Sequence, residues 1–405
     1  MSLRNFSVSL TAALLAACGG SEAPRSSDAQ PATATEIAQN AIIVDGHIDV
    51  PYRLEEGWVD VSEATDSGDF DYPRAVAGGL NAPFMSIYTP ADLEAEGRSR
   101  EVADKLIDFV ERIVAESPDK FAIARSPADV ERHFEAGIIS LPLGMENGSP
   151  IEGDLENLRY FYARGVRYVT LAHSLSNHIS DSSYDDNKQW GGLSDFGRAV
   201  VQEMNRLGIM VDISHVSDDA FYDVIELSKA PVIASHSSAR HFTPGWERNM
   251  SDEMIVALAE NEGIIMINFG SAFLTREAWA YGTARRAAYA EYRENEGLED
   301  SDALAQSFNE TYANEHGPYP YATLDDVLDH FDHVVELTSV ENVGIGSDYD
   351  GVGDSLPTGL KDVSTYPNLV QGLLDRGYSE EDIVKILGGN ALRVWRQVEA
   401  VAGSN

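Results

Sequence analysis

Residues 208–238 read GIMVDISHVSDDAFYDVIELSKAPVIASHSS. Two short apolar runs within this stretch, residues 209–213 and 231–234, have the length and the composition of β-strands. An amphipathic helical segment lies between them, and Ser217 or Asp218 is a suitable N-cap for that helix. The pattern therefore predicts a β-α-β unit.

Each strand of this unit ends in a histidine, His215 in the first and His236 in the second. The C-terminal ends of parallel strands form the face on which ligands bind in α/β folds. Two imidazoles on neighbouring strands favour a metal site there, but two ordinary core or surface histidines explain this short stretch equally well.

Similar apolar runs recur along the whole chain, and most of them are followed by a helical segment. The predicted strands are residues 41–44, 81–88, 138–145, 166–171, 209–213, 231–234, 263–269 and 343–347. The alternation predicts a (β/α)₈ TIM-type barrel with a helical insertion, residues 276–320, between strands 7 and 8. A doubly wound sheet is the alternative, but no G-x-G-x-x-G motif follows the first strand.

The composition is that of a globular protein with a substantial core, since 43% of the 405 residues are hydrophobic. The formal net charge of −38 excludes nucleic acid as a partner and excludes electrostatic docking on an anionic membrane surface.

The N-terminus has the features of an export signal. Residues 1–17 carry Arg4 and an apolar run, and LLAAC ends at Cys18 in a pattern that resembles the lipobox of bacterial lipoproteins. We predict a lipoprotein-type signal peptide over residues 1–17, a lipid anchor at Cys18 and a flexible tether over residues 18–36. This places the protein on the periplasmic side of a bacterial cell envelope; an ordinary secretory signal is the alternative.

Chemistry-bearing residues stand at most of the predicted strand ends. They are His47, Asp49, Glu146, His173, His215, His236 and Asp348. In a barrel these side chains converge on one mouth, and imidazole nitrogens with carboxylate oxygens are the ligands of a hydrolytic zinc ion or a pair of them. Each residue alone has an ordinary structural explanation, but their common position at strand ends favours a metal centre.

Several of these motifs together resemble the membrane (renal) dipeptidase family of the amidohydrolase superfamily. They are DGHID (45–49), GMENG (144–148), TLAHS (170–174), DISHVS (212–217), SHSS (235–238), RN (248–249) and GSDYDG (346–351). The resemblance implies a metal-dependent dipeptidase barrel over residues 37–402. It also implies two zinc ions, with His47 and Asp49 on one, His215 and His236 on the other, and Glu146 bridging them.

The same resemblance implies a role for three further residues. His173 would bind substrate and stabilise the oxyanion, Arg248 would hold the C-terminal carboxylate, and Asp348 would act as the acid/base. A metal-bridging hydroxide would then hydrolyse dipeptides, with L-Xaa-L-Xaa and L-Xaa-D-Xaa as the candidate substrates.

Other functions stay open at this point. Another amidohydrolase activity (lactonase, deaminase or β-lactam hydrolase) is one alternative, and a solute-binding lipoprotein is another. A homodimer is a candidate assembly, but Cys18 is the only cysteine, which excludes a disulfide between barrels. Outside the motifs, His330 and His333 are predicted to lie on a solvated helix face.

Overall fold

Eight parallel strands close into a barrel in the computed structural model, which describes residues 32–403. The predicted signal peptide, Cys18 and most of the predicted tether lie outside these residues. The last three residues of that tether, 34–36, belong to a helix that Thr33 caps. Among residues 32–403, no helix combines the length and the apolar composition needed to cross a membrane.

The strands of the described residues are β1 (Ile43–Ile48), β2 (Leu80–Tyr88), β3 (Phe121–Ile123), β4 (Ile139–Leu141), β5 (Leu143–Glu146), β6 (Val166–Thr170), β7 (Met210–Asp212), β8 (Ile233–Ser237), β9 (Ile264–Ile267) and β10 (Val343–Ile345). The barrel strands follow the chain in the order β1-β2-β5-β6-β7-β8-β9-β10, and β10 closes onto β1. The predicted (β/α)₈ barrel is confirmed, because all eight barrel strands overlap predicted strands.

Helices surround the barrel and fill the connections between its strands. They are α1 (Ala34–Asn40), α2 (Val50–Glu56), α3 (Tyr72–Gly78), α4 (Leu93–Glu96), α5 (Ser99–Glu116), α6 (Pro127–Glu135), α7 (Leu155–Arg164), α8 (Asp195–Leu207), α9 (Asp218–Leu227), α10 (Asp252–Glu260), α11 (Ser271–Leu274), α12 (Arg276–Glu296), α13 (Asp302–His316), α14 (Leu324–Leu337), α15 (Tyr366–Asp375), α16 (Glu380–Val384) and α17 (Asn390–Gly403). The predicted insertion between the seventh and eighth barrel strands consists mainly of α12 and α13.

Local sequence sets the helix boundaries in the β-α-β unit. Ser217 is the N-cap of α9, and its hydroxyl accepts a hydrogen bond from the Ala220 N–H. Ser194 caps α8 in the same way, and that helix ends at Gly208, whose φ of 84° suits a residue without a Cβ. Each of these caps involves residues only a few positions apart in the chain, so the local sequence is sufficient to predict them.

One predicted strand, residues 138–145, divides into two pieces. β4 pairs with β3 in a separate two-stranded sheet, and only β5 enters the barrel. Pro142 lies between the two pieces and has no N–H to donate to a ladder, so the chain changes sheets there. The sequence analysis did not predict β3.

The prediction that His330 lies on a solvated helix face is wrong, because His330 is fully buried. Its Nδ1 accepts a hydrogen bond from the Ala239 N–H, and its Nε2–H donates to the Leu274 carbonyl. His330 on α14 thus connects the segment that follows β8 to α11.

An apolar cluster closes the end of the barrel opposite the strand C-termini. Trp395 of α17 is 1% exposed, and its ring lies 5.3 Å from that of Phe84. The chain reaches this position through a π-helical turn, in which Gly388 approaches the Ile42 carbonyl too closely for any Cβ. This cluster packs around the first residues of the strands and leaves the other end for polar groups.

Candidate active site and metal centre

Seven polar residues predicted at strand ends lie together at one end of the barrel; we call them the strand-end cluster. Three belong to β1, β5 and β8, one directly follows β1, and three lie just beyond β6, β7 and β10. They are His47, Asp49, Glu146, His173, His215, His236 and Asp348. The structure thus brings together the residues that the sequence placed at one mouth.

The carboxylate of Glu146 lies at the centre of the strand-end cluster. Its Oε2 is 3.3 Å from the Nε2 of His47. Its Oε1 lies 3.1 Å from the Nε2 of His215 and 3.3 Å from those of His173 and His236. Burial alone would raise the pKa of Glu146, but the neighbouring histidines outweigh it and hold this pKa well below its usual range.

A hydrogen-bond chain fixes the orientation of His236. The Ser235 hydroxyl donates to Asp212 at 2.7 Å, so it accepts the proton of the His236 Nδ1, also 2.7 Å away. The Nε2 of His236 therefore carries a lone pair, and it lies 2.8 Å from the Nε2 of His215. Burial lowers the pKa of both rings well below the usual value, which keeps them in the neutral form that binds metals.

A hydrogen bond at the Nδ1 atom of His47 fixes the orientation of this ring in a comparable way. Its Nδ1 lies 2.7 Å from the hydroxyl of Tyr168, a residue inside the barrel whose pKa is raised by burial. The Tyr168 ring occupies the space beside Gly144, where a Cβ would lie 1.9 Å from it. A glycine on β5 is therefore necessary for this support of His47.

The donor set fits divalent cations. The buried Nε2 of His47 has no hydrogen-bond partner among the described residues, although it lies 3.4 Å from the Oδ2 of Asp49. Ligand atoms within 4.8 Å of one another form three overlapping groups: His47, Asp49 and Glu146; Glu146, His173 and His215; His47, His236 and Asp348. Because Glu146 belongs to two of these groups, its two oxygens can serve two neighbouring ions.

Two residues of the strand-end cluster have left-handed backbone conformations. His215 has a φ of 70° and Asp348 a φ of 63°, values that residues with a Cβ rarely adopt. Such conformations persist where the surrounding structure imposes them, and they concentrate at functional sites. They turn both side chains towards the mouth of the barrel.

Asp348 lies in a polar but largely desolvated position. The Asn268 side-chain amide donates to its Oδ2 at 2.7 Å. Burial raises the pKa of Asp348 to about 7; the charge of His47 opposes this shift, and those of Asp49 and Glu146 add to it. A carboxyl group with such a pKa can both accept and donate a proton near neutral pH.

Arg248 is a buried cation that no carboxylate neutralises among the described side chains. It is 2% exposed, and it donates to the Ser237 hydroxyl at 2.7 Å and to the His236 carbonyl at 2.8 Å. Its Nε has no hydrogen-bond partner within residues 32–403, and its guanidinium lies 5.1 Å from the ring centre of Phe273. A buried charge without a counter-charge is costly, so an anionic ligand would stabilise it.

The amino-acid sequence matches the model of the membrane dipeptidases (peptidase family M19) over residues 31–405. The chain belongs to this family. Dipeptidase aclJ of Aspergillus oryzae is 38% identical over 344 residues, which cover 83% of this chain and 72% of the relative. The protein is therefore a metallo-dipeptidase with an amidohydrolase-type barrel.

Solved structures agree with this assignment. The probable dipeptidase PvdM of Pseudomonas aeruginosa superposes with a TM-score of 0.76 at 26% identity, over 91% of this chain and 98% of that one. A metallopeptidase of Rhodobacter sphaeroides, liganded with a phosphinate mimic of L-Ala-D-Ala, superposes with a TM-score of 0.72 at 25% identity, over 89% and 100%.

The dipeptidase has a cavity of about 660 Å³ over the strand-end cluster. Its walls include residues that the sequence analysis did not identify: Tyr88, Tyr184, Phe273, Arg285 and Arg286. Tyr88 is the last residue of β2, so the strand-end argument could have found it. The others belong to loops or to α11 and α12, where nothing in the local sequence indicates that they reach the site.

Proposed function

We propose that this dipeptidase binds two zinc ions and hydrolyses both L-Xaa-L-Xaa and L-Xaa-D-Xaa dipeptides. The observation that carries this proposal is the position of Glu146, whose two carboxylate oxygens face different histidines. Bound there, two zinc ions would supply a hydroxide nucleophile near neutral pH and polarise the peptide carbonyl.

The ligands divide into two sets around Glu146. His47 and Asp49 would hold one ion, and His215 and His236 would hold the other, with Glu146 shared between them. The neutral state of His215 and His236 supports this division, as does the buried Nε2 of His47, which has no hydrogen-bond partner in the described part of the chain. The support given by Tyr168 to His47 orients that ligand before any metal binds.

Three other residues would act on the dipeptide. Arg248 would bind its C-terminal carboxylate, which supplies the counter-charge that no described side chain provides. His173 is 3.3 Å from Glu146 and would donate a hydrogen bond to the oxyanion. Asp348, with its pKa of about 7, would take the proton of the nucleophile and deliver it to the leaving amine.

A recognition site for a free carboxylate favours dipeptides over longer peptides. In a dipeptide the residue after the cleaved bond carries the free carboxylate, whereas in a longer peptide that residue continues into another peptide bond, so Arg248 would meet no charge there. We include L-Xaa-D-Xaa dipeptides among the substrates because the structure of a Rhodobacter sphaeroides relative was solved with a mimic of L-Ala-D-Ala. The proposal also includes an export signal with lipid attachment at Cys18, a barrel domain over residues 37–402 and assembly into a homodimer.

The test is hydrolysis of matched L-Xaa-L-Xaa and L-Xaa-D-Xaa panels, with metal content measured on the same preparation. We expect two zinc ions per chain, loss of turnover on chelation and recovery on addition of zinc. The variant Glu146→Gln should lose both ions, because it removes the carboxylate shared between them. Partition of the full chain and its Cys18→Ala variant into detergent would test the lipid anchor.

Other results would contradict particular parts of the proposal. One bound ion with full activity would contradict the dinuclear site. Hydrolysis of the L,L series alone would remove the D-configured substrates. Metal binding without turnover of any dipeptide, combined with cleavage of a lactone, a nucleobase amine or a β-lactam, would establish a different amidohydrolase reaction.

A further inference from the structure

The helical insertion contributes one face of α12 to the wall of the active-site cavity. Gly282, Arg285 and Arg286 all line this cavity. They are spaced i, i+3 and i+4, so they lie on the same side of the helix. We call Arg285 and Arg286 the cationic edge of the cavity.

The cationic edge has no carboxylate partner among the described side chains. Elsewhere on the same helix Arg293 pairs with Asp300, but neither Arg285 nor Arg286 forms an ion pair with a described side chain. Arg285 lies 5.7 Å from the ring centre of Tyr319, and Arg286 donates only a long 3.3 Å hydrogen bond within its own helix. Arg285 is partly buried and Arg286 is exposed, and neither has a carboxylate partner within residues 32–403 although the chain has a net charge of −38.

The helix that carries the cationic edge packs against the segment that contains Arg248. Trp279 of α12 stacks on Trp246 at 5.9 Å between ring centres, two residues before Arg248 in the chain. Trp246 also lies 4.9 Å from the ring of Phe273, which lines the cavity and lies 5.1 Å from the Arg248 guanidinium. The segment with Arg248 and the helix with the cationic edge therefore adjoin beside the cavity, where a C-terminal residue with an acidic side chain offers two carboxylates.

We propose that the cationic edge binds an acidic side chain on the C-terminal residue of the dipeptide, so that this enzyme prefers substrates ending in Glu or Asp. The inference rests on the proposed function, in which Arg248 holds the α-carboxylate of that same residue. Guanidinium groups bind carboxylates through paired, charge-assisted hydrogen bonds, which a neutral amide side chain does not reproduce.

The test compares kcat/KM for Ala-Glu with that for Ala-Gln, in both the L,L and the L,D series, because these side chains match in shape and differ in charge. We expect at least about a tenfold preference for Glu in the wild-type enzyme, the range of a charge-assisted hydrogen bond. In the double variant Arg285→Met/Arg286→Met the ratio should fall to about one. Ala-Gln turnover is the internal reference, because loss of fold or of metal lowers both reactions equally.

A matched control is Arg276→Met, which removes an exposed arginine of the same helix that does not line the cavity and should keep the preference. Equal turnover of Ala-Glu and Ala-Gln by the wild-type enzyme would overturn the inference and leave the dipeptidase function intact. A preference that survives in the double variant, or one for Glu-Ala over Gln-Ala instead, would also overturn it. Absence of turnover for every dipeptide would instead refute the proposed function, on which this inference depends.

Discussion

The two ends of the barrel differ in the polarity of the side chains that they bury. At the end where the strands begin, Trp395 and Val398 of α17 pack against apolar residues such as Phe84. At the end where they finish, Glu146 lies among histidines that hold its pKa well below the usual range. One end is a continuation of the core, and the other is a set of buried polar groups.

The difference separates stability from function within one fold. Burial of apolar surface stabilises the protein without requiring a precise direction of contact. Buried ionisable groups are costly unless each has a partner, so they persist only where hydrogen bonds, mutual pairing or bound cations compensate. Substitutions at the two ends should therefore change different measurements.

The largest expected effect is at the polar end, in Asp348→Asn. We expect kcat to fall about 100- to 10,000-fold, the usual contribution of a proton-transfer group, while both metal ions remain bound. Turnover and metal content measured on one preparation check this. Asp354→Asn, at an exposed carboxylate, is the control. Loss of metal in parallel with activity would instead identify Asp348 as a ligand.

The corresponding change at the apolar end is Trp395→Ala. We expect the free energy of unfolding to decrease by about 3–5 kcal/mol, the range for truncation of a large buried aromatic side chain. The kcat of the folded protein should not change. Urea unfolding and active-site turnover test both points, with Trp190→Ala as control because Trp190 is 46% exposed. A large fall in kcat would show that the two ends are not independent.

A smaller effect is expected for Ser235→Ala, which removes the acceptor of the His236 Nδ1 proton. We expect zinc affinity to fall about 10- to 100-fold, as for other residues that orient a metal ligand. Competition with a chromophoric chelator measures this affinity. Unchanged affinity would show that packing alone orients His236.

The most gradual effect concerns His330, which is buried in neutral form on α14. Burial lowers the pKa of His330 to about 4 from 6.5, so between these pH values the unfolded chain binds a proton that the native state does not. Stability should therefore fall as the pH decreases through this window, by about 1.4 kcal/mol per unit from this group. The free energy of unfolding in urea should depend less steeply on pH in His330→Gln than in the wild type. The control is His316→Gln, at an exposed helix end, which should leave the pH dependence unchanged. Equal slopes for the wild type and His330→Gln would contradict the assignment.

Periodicity and capping in the sequence predicted most of the elements. The N-cap at Ser217 and the end of α8 at Gly208 depend on atoms within a few residues, so local sequence is sufficient for them. The division at Pro142 was missed, because an apolar run of strand length does not reveal which of two sheets each half joins. β3 was missed as well.

The same contrast holds for the site. Residues such as His47 and Glu146 could be predicted because every parallel strand of a barrel delivers its end to the same face. Tyr184, Phe273 and Arg286 could not, because loops and added helices reach the cavity by packing between distant segments. The burial of His330 has the same origin, since its partners are Ala239 and Leu274.

The sequence by itself determined the order of strands and helices, the barrel and the groups available for metal chemistry, since these follow from patterns repeated along neighbouring residues. Tertiary structure alone decided how those groups are oriented and which side chains complete the cavity. The stacking of Trp279 on Trp246 packs α12 against the segment that contains Arg248, although the two are separated in the chain. Such contacts depend on the packing of whole elements, and no local pattern encodes them.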